Sequence, residues 1–336
     1  MMKLALMTAF FESVDGNGCS PIAAEIAGRW FRSPTSVSCL RASANFVFEV
    51  QNADGRYILR FNSAGERQPE AIAAELRFTG RLAGRDLRVA EPVAARSGLL
   101  VETIPTELGT FHAVMLEALS GRQLELEQLD GAGLERWGRT LGELHNASRG
   151  YEAGQRPSWV DHIAFARTEI ASAEELLHAE LHEVGERLQG LAAGPEDFGL
   201  IHYDFELDNL LWQGDEIGVV DFDDCAHYWF VADIAYALRD LFDDRAEQVD
   251  LGDRRLGSFV TGYRSARPLG DEQLGLIPLL LRLHNLVSFA RLSRSLGGGP
   301  PPDEPEWAAG LRGKLAGKLN AYRQSVADHP LSTLGS

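Results

Sequence analysis

HYDFELDN, residues 202–209, lies between the apolar run FGLI (198–201) and the apolar LLW (210–212). A short loop that crowds a histidine, three carboxylates and an asparagine between hydrophobic flanks is costly to place unless those groups have partners. Downstream, IGVVDF (217–222) reads as a second short apolar strand ending in Asp221-Phe222-Asp223-Asp224, with LLWQGDE between the two. Adjacent short strands joined by a tight turn would bring Asn209 close to Asp221.

One neutral oxygen and one carboxylate make a hard oxygen site suited to Mg²⁺, which completes its shell with water and phosphate oxygens. Asp204, upstream on the same loop, can then accept a proton from a hydroxyl attacking phosphorus. A loop Asp and Asn followed by a metal-holding Asp on the next hairpin is the division of labour of phosphoryl transfer. An Asx-rich turn satisfying its own backbone would also account for the loop. It would not account for a following strand that ends in DF.

Around this motif the chain changes character. Pro21 to Phe31 has the spacing of an amphipathic helix. Two runs of β-formers follow, NFVFEV (45–50) and RYILRFN (56–62), and Asp54-Gly55 between them signals a hairpin. A helix is expected over 69–83, opened by Pro69 and Glu70, with Ile72, Leu76 and Leu82 on its apolar side. Further strands are expected near Val89–Ala94 and at HAVMLEAL (112–119). Beyond Ser120-Gly121 helical spacing dominates, as at Leu134, Trp137, Leu141 and Leu144, broken by a loop at GGGPPPDEP (297–305). The outline is an α+β chain of two lobes: a small β-rich lobe over 1–119, a hinge near 117–121, and a larger helical lobe over 120–336.

With 336 residues, 45% hydrophobic and 24% charged, the chain can bury a large core and is not disordered. A formal net charge of −17 argues against a nucleic-acid partner, whose phosphates require a basic face. Cys19, Cys39 and Cys225 form no CxxC pair, which favours a reducing compartment over a disulfide or zinc framework. The opening MMKLALMTAFF is too short to span a bilayer, and Glu12 and Asp15 follow with no cleavage pattern. The expectation is a cytoplasmic protein with no membrane partner.

IHYDFELDNLLW, VVDFDD and VADIAYAL together resemble the aminoglycoside phosphotransferase and choline-kinase-like family, whose members share the protein-kinase fold. ILRF, AAEL, VMLEALSG and LGELH are similar to further landmarks of that family, so the likeness extends over most of the chain. It implies a bilobal protein-kinase-like fold, ATP and Mg²⁺ as co-substrate and metal, and a small-molecule hydroxyl acceptor. On its motif Asp204 matches the catalytic base, and Asn209 and Asp221 match the metal ligands. His202 matches a residue that braces the loop, and Asp233 one that caps it.

Two departures stand out. Kinases of this fold place a lysine on the third strand, paired with a helix glutamate, to hold phosphates. Here the lysines are Lys3, Lys314 and Lys318, none on a candidate strand, and the residue in register is Arg60. A guanidinium fork can do the same work, and choline kinases resemble this chain in that respect. Its expected partner is Glu75, with Glu70 second. The glycine-rich loop is also missing; ASAN (42–45) stands where it would cover the phosphates. Adenine is expected against backbone groups near Glu117 and Leu119.

For the acceptor, the candidates are Glu206, Asp208, Asp223, Asp224 and the aromatic run Tyr228-Trp229-Phe230, because carboxylates beside aromatics suit a cationic amine. Trp229 and Phe230 as core and Asp224 as a helix cap is an equally good account. The reading is therefore an ATP- and Mg²⁺-dependent phosphotransferase acting on a small, amine-bearing alcohol. A protein serine/threonine kinase, a silent nucleotide-binding scaffold and a metal-dependent hydrolase are the alternatives.

Overall fold

The computed structural model describes residues 2–16, 18–152, 154–300 and 303–331. The chain divides into two compact units that are each discontinuous in sequence. The first takes the chain to Gly80, Ala90–Leu119 and Leu292–Gly317; the second takes Arg81–Val89, Ser120–Arg291 and the chain from Lys318. No single cut at 119/120 separates them, because two segments beyond that point or before it belong to the other unit.

The first unit is built on a six-stranded sheet. Its strands are β1 (Ser36–Ala42), β2 (Phe46–Asn52), β3 (Gly55–Ser63), β4 (Pro92–Val93), β5 (Glu102–Thr106) and β6 (Gly109–Glu117). They run in the order β1-β2-β3-β6-β4, with β5 also paired to β6, and each pairing is antiparallel. The alternation in FVFEV turns Phe46, Phe48 and Val50 into the core. There they meet Phe61, Phe111 and Phe10 of helix α1 (Leu4–Phe11), with Phe10 stacked on Phe46 at 4.0 Å. Helix α2 (Pro21–Ala27) is opened by Ser20, whose hydroxyl accepts from the Ala23 amide, and by Pro21 at its first position.

The β2–β3 hairpin sits where Asp54-Gly55 signalled it, with Asn52 opposite Gly55. On β3 the period of two puts Phe61 in the aromatic core and Arg60 on the other face, where helix α3 (Pro69–Ala83) lies. The strand expected near Val89–Ala94 is only Pro92–Val93; Val89 instead bridges to Val219 in the second unit, to which both residues belong. Within 297–305, Pro301 and Pro302 lie outside the described residues.

In the second unit, helices α4 (Gly131–Ser148), α5 (Trp159–Glu169) and α6 (Glu175–Gln189) precede the motif. Strands β7 (Phe198–Ile201), β8 (Leu210–Gln213), β9 (Glu216–Val219) and β10 (Ala226–Trp229) surround it. Helices α7 (Phe230–Ala237), α8 (Arg254–Ala266), α9 (Asp271–Leu274), α10 (Ile277–Leu296) and α11 (Glu306–Asp328) complete the chain. Helices α4 and α8 meet backbone to backbone. A Cβ on Gly138 would stand 1.9 Å from the Phe259 carbonyl oxygen, and one on Gly262 would stand 1.8 Å from that of Glu135. That close crossing sets His145 of α4 against Tyr263 of α8. The stretch Asp271–Leu296 is long and apolar enough to cross a membrane, yet 56% of its apolar window is buried inside the protein, as in a core helix.

Two strands differ from the sequence reading. LLWQ is itself a strand, β8, hairpinned to β9 through Gly214 at φ 61°, while β7 pairs with β10. The IGVVDF strand ends at Val219, so Asp221 leaves the ladder before turning.

Candidate active site

The loop 202–209 hangs from β7 and is tied from behind by one buried carboxylate. Asp233, in the first turn of α7, accepts the His202 amide and the Tyr203 amide, each at 2.7 Å. Its Oδ2 also lies 3.1 Å from Nε2 of His145, whose Nδ1 is 2.8 Å from the Tyr263 hydroxyl. Burial holds His145 below its usual pKa against the pull of Asp233, so the ring is neutral, donating to Asp233 and accepting from Tyr263. His202 braces the loop from its other side: Nδ1 accepts the Asp204 amide at 3.3 Å and Nε2 donates to the Val220 carbonyl at 3.0 Å. Asp233 and His202 thus hold the loop shut in the manner the resemblance implied.

Tyr203 turns the chain with φ 76°, a left-handed conformation that costs a side-chain-bearing residue about 1–2 kcal/mol. The ring offsets this by burial against Tyr228, Tyr236 and His284, with the Arg291 guanidinium 5.2 Å from its centre. Burial pushes its hydroxyl up to about 12, so it stays neutral there.

Asn209, which ends the 3₁₀ turn Leu207–Asn209, is directed by the hairpin. Its carbonyl accepts from Val220 at 3.0 Å, which sets it beside the chain that leads to Asp221. The side-chain amide donates to the Asp204 carbonyl at 2.9 Å and to Asp204 Oδ2 at 3.2 Å. The remaining oxygen, Asn209 Oδ1, is buried without a hydrogen-bond partner among the described residues. An orphaned buried oxygen is costly unless something else coordinates it. Asp221 stands at φ 64° and ψ 61° at the head of the turn Phe222–Asp224. Among the described residues no group of three or more His, Cys, Asp or Glu could hold a metal ion by itself. An Asn–Asp pair fits instead a hard ion that takes most of its ligands from phosphate and water.

The residue that sequence reasoning missed is Arg239, in the turn Arg239–Phe242 after α7. Its Nη1 lies 3.2 Å from Asp204 Oδ1 and its Nη2 bonds Glu206 Oε2, so one guanidinium spans both carboxylates. Burial pushes the Glu206 carboxyl up to about 7, Asp204 adds to the push, and Arg239 opposes it. Burial alone would lower the Arg239 pKa, but Asp204, Glu206 and Asp244 more than reverse it. The one signal in the sequence is an arginine alone among acids in LRDLFDD (238–244). Nothing there says which acids it answers.

In the first unit, Arg60 Nη2 and Glu75 Oε2 meet at 2.8 Å with side chains only 7% and 2% exposed. Glu70 is not in this contact. At the end of β6, the Glu117 amide already donates to the Glu91 carbonyl at 2.9 Å, so it is not open to an adenine edge. ASAN forms the β1–β2 turn, where the Ser43 carbonyl accepts from the Met2 amide.

The aromatic acceptor candidates do not hold. Tyr228 and Trp229 belong to β10, a strand buried on both faces, rather than to a loop. The Tyr228 hydroxyl is 2.7 Å from His162, and the Trp229 indole donates to the Ala192 carbonyl at 2.8 Å with its ring against Trp159 and Phe198. Asp223 is buried, and its carbonyl accepts from Arg156. Asp224 is gripped by both Arg291 nitrogens, at 2.8 and 3.3 Å. Of the acidic candidates Asp208 is exposed, while Glu206 and Asp224 are alike half-buried and each held by an arginine.

A family model, described as the phosphotransferase enzyme family, matches residues 39–269. The chain belongs to that family. Within it, the amicoumacin kinase of Bacillus subtilis is 24% identical over 305 residues, covering 87% of this chain and 90% of that protein. A homoserine kinase of Rhizobium etli is 29% identical over 271 residues, covering 76% and 80%. Among solved structures, an amicoumacin kinase in complex with AMP-PNP and Ca²⁺ superposes with a TM-score of 0.76 at 23% identity, over 92% of this chain and 93% of that one. The fold is thus the α+β kinase-like fold of these phosphotransferases. The protein is a phosphotransferase of small hydroxyl-bearing molecules.

Proposed function

We propose that this phosphotransferase moves the γ-phosphoryl group of Mg-ATP to the hydroxyl of a small, amine-bearing alcohol. The observation that carries the reading is Asn209: its side-chain nitrogen holds Asp204 while its side-chain oxygen is buried and unmatched among the described residues. Asp204 takes the proton of the attacking hydroxyl, one carboxylate oxygen set by Asn209 and the other by Arg239. Asn209 Oδ1 and Asp221 would hold the divalent ion, which when bound neutralises charge on the phosphate oxygens. Arg60, fixed by Glu75, would grip the phosphates as a fork. For the adenine edge the Glu117 carbonyl and the Leu119 amide are the groups proposed.

The cationic acceptor is supported by charge. Around the loop Asp204, Glu206, Asp208, Asp240 and Asp244 stand against Arg239 and Lys318, while Arg291 is answered by Asp224. The excess of carboxylates favours a ligand that brings an ammonium of its own. A relative's name points to an amine-bearing acceptor as well, since homoserine carries an ammonium beside its hydroxyl. Free Cys19, Cys39 and Cys225 suit a reducing compartment, which supports the reading of a cytoplasmic enzyme. The test is an ATP-consumption panel of homoserine, aminopropanol, ethanolamine, choline, aminoglycosides and polyols without an amine, with Asp204→Asn as blank. Turnover of amino alcohols above polyols is expected. Equal turnover of both, or phosphorylation of protein serine alone, would end the proposal.

A further inference from the structure

We propose that Arg239 is a positioning residue for phosphoryl transfer, acting by locking Asp204 and Glu206 into one geometry. The proposal rests on the reading of Asp204 as proton acceptor. Arg239 cannot itself exchange a proton, since a guanidinium stays charged in a protein. What it does is structural at the level of a single carboxylate. Nη1 fixes Asp204 Oδ1 at 3.2 Å while Asn209 fixes Oδ2 at 3.2 Å, so the carboxylate is held at both ends. Nη2 takes Glu206, the neighbouring carboxylate that would otherwise repel it.

The guanidinium is itself set by a second layer. Its Nη1 also donates to the Tyr236 carbonyl at 3.2 Å, and its Nε pairs with Asp244 at 3.5 Å. Asp244 is pinned by Lys318 of α11 at 3.0 Å and, through its backbone carbonyl, by Asn285 of α10 at 2.6 Å. Asp243 and Asp244 are successive left-handed residues, φ 50° and 59°, a conformation that aspartate tolerates and that aims the Asp244 carboxylate back at Arg239. Charge neutralisation alone would be served by lysine. A lysine nitrogen is a single point, and it cannot span Asp204, Glu206 and Asp244 as the fork does.

The full chain is assayed with Mg-ATP and the amino alcohol that the panel turns over fastest. Arg239→Gln should lower kcat on the order of 100-fold, as misplacement of a reacting group by about 1 Å does, with KM for Mg-ATP within about twofold. Arg239→Lys should recover only part of the loss. In an Asp204→Asn background, Arg239→Gln should cost almost nothing further, because it acts through the missing carboxylate. A folded Arg239→Gln enzyme with unchanged kcat, full rescue by lysine, or an undiminished loss in the double variant would each overturn the proposal. Should Arg239→Gln fail to fold, Asp244→Asn carries the test: kcat down by about 3–10-fold at constant KM is expected, and unchanged kcat refutes it. Full activity of Asp204→Asn alone would instead refute the reading of Asp204.

Discussion

In the proposed reaction Asn209 has two jobs for one side chain, and they can be separated by substitution. The amide nitrogen orients Asp204, and the oxygen is left for an ion. Asp204→Asn removes the proton acceptor and leaves one side-chain oxygen where Asn209 and Arg239 now each hold one, without touching Asn209 Oδ1 or Asp221. It should lower kcat by about 100- to 10,000-fold, the range for loss of a general base, with Mg-ATP affinity retained. Asp221→Ala should do the reverse and remove the Mg²⁺-dependent part of nucleotide binding. At a ligand concentration of about 100 Kd, binding adds about 2.7 kcal/mol to stability. A thermal-shift titration should show that gain in Asp204→Asn and lose it in Asp221→Ala. Equal shifts in both variants would disprove the division of roles.

At the scale of elements, β3 and α3 each contribute one charge to a pair that neither could bury alone. Removing one partner of such a pair leaves a buried charge and costs about 3–5 kcal/mol, whereas replacing both by apolar groups is close to neutral. Arg60→Met should therefore destabilise the protein by about that amount, and Arg60→Met with Glu75→Leu should regain most of it. Denaturant unfolding reads the stability. If Arg60 grips phosphate, KM for Mg-ATP stays raised by at least about tenfold in the stable double variant, the loss of roughly one charged hydrogen bond. A double variant with normal KM would leave the pair a purely structural role. The pairing was legible through the family resemblance, and the local periods agree with it: Arg60 alternates out of the aromatic core and Glu75 falls beside Leu76 on the buried side of α3. β10 was not legible. AHYW is buried on both faces, so it shows no alternation, and its aromatics looked like a pocket wall. Arg239 was hidden for a different reason, since an arginine's partners depend on which turns face it in space, and the 3₁₀ turn and the two left-handed aspartates leave no periodic trace.

Across the whole molecule the interleaving of the two units was beyond any local pattern, because a helix such as α10 looks the same whichever core receives each of its turns. The same burial that assigns residues to cores has a consequence for acid stability. His112, His145, His227 and His284 are all held below the ordinary histidine range, with burial the leading cause, and His284 falls to about 3. Below pH 6.5 the unfolded chain takes up protons on these rings that the folded chain refuses, so stability falls as pH falls. Glu206 works the other way. Its carboxyl at about 7 in the folded protein binds a proton before the unfolded value of 4.5 is reached, so acidification through that window favours the fold. Each unshared proton is worth about 1.4 kcal/mol per pH unit. His284 is buried and counts nearly in full, His145 adds in the same direction, and His112 and His227 are more open to solvent and add less. His284 offsets Glu206 over this window, and the other three histidines tip the balance to a net loss of stability from pH 6.5 towards 5. The melting temperature of the ligand-free protein should hold between pH 8 and 7 and fall below 6.5. Glu206→Gln removes the opposing proton, so its melting temperature should fall more steeply over the same range. A melting temperature that rises on acidification below pH 6.5 would show that the histidines do not outweigh Glu206, and a Glu206→Gln curve parallel to the parent would show that Glu206 is not the raised carboxyl of this loop.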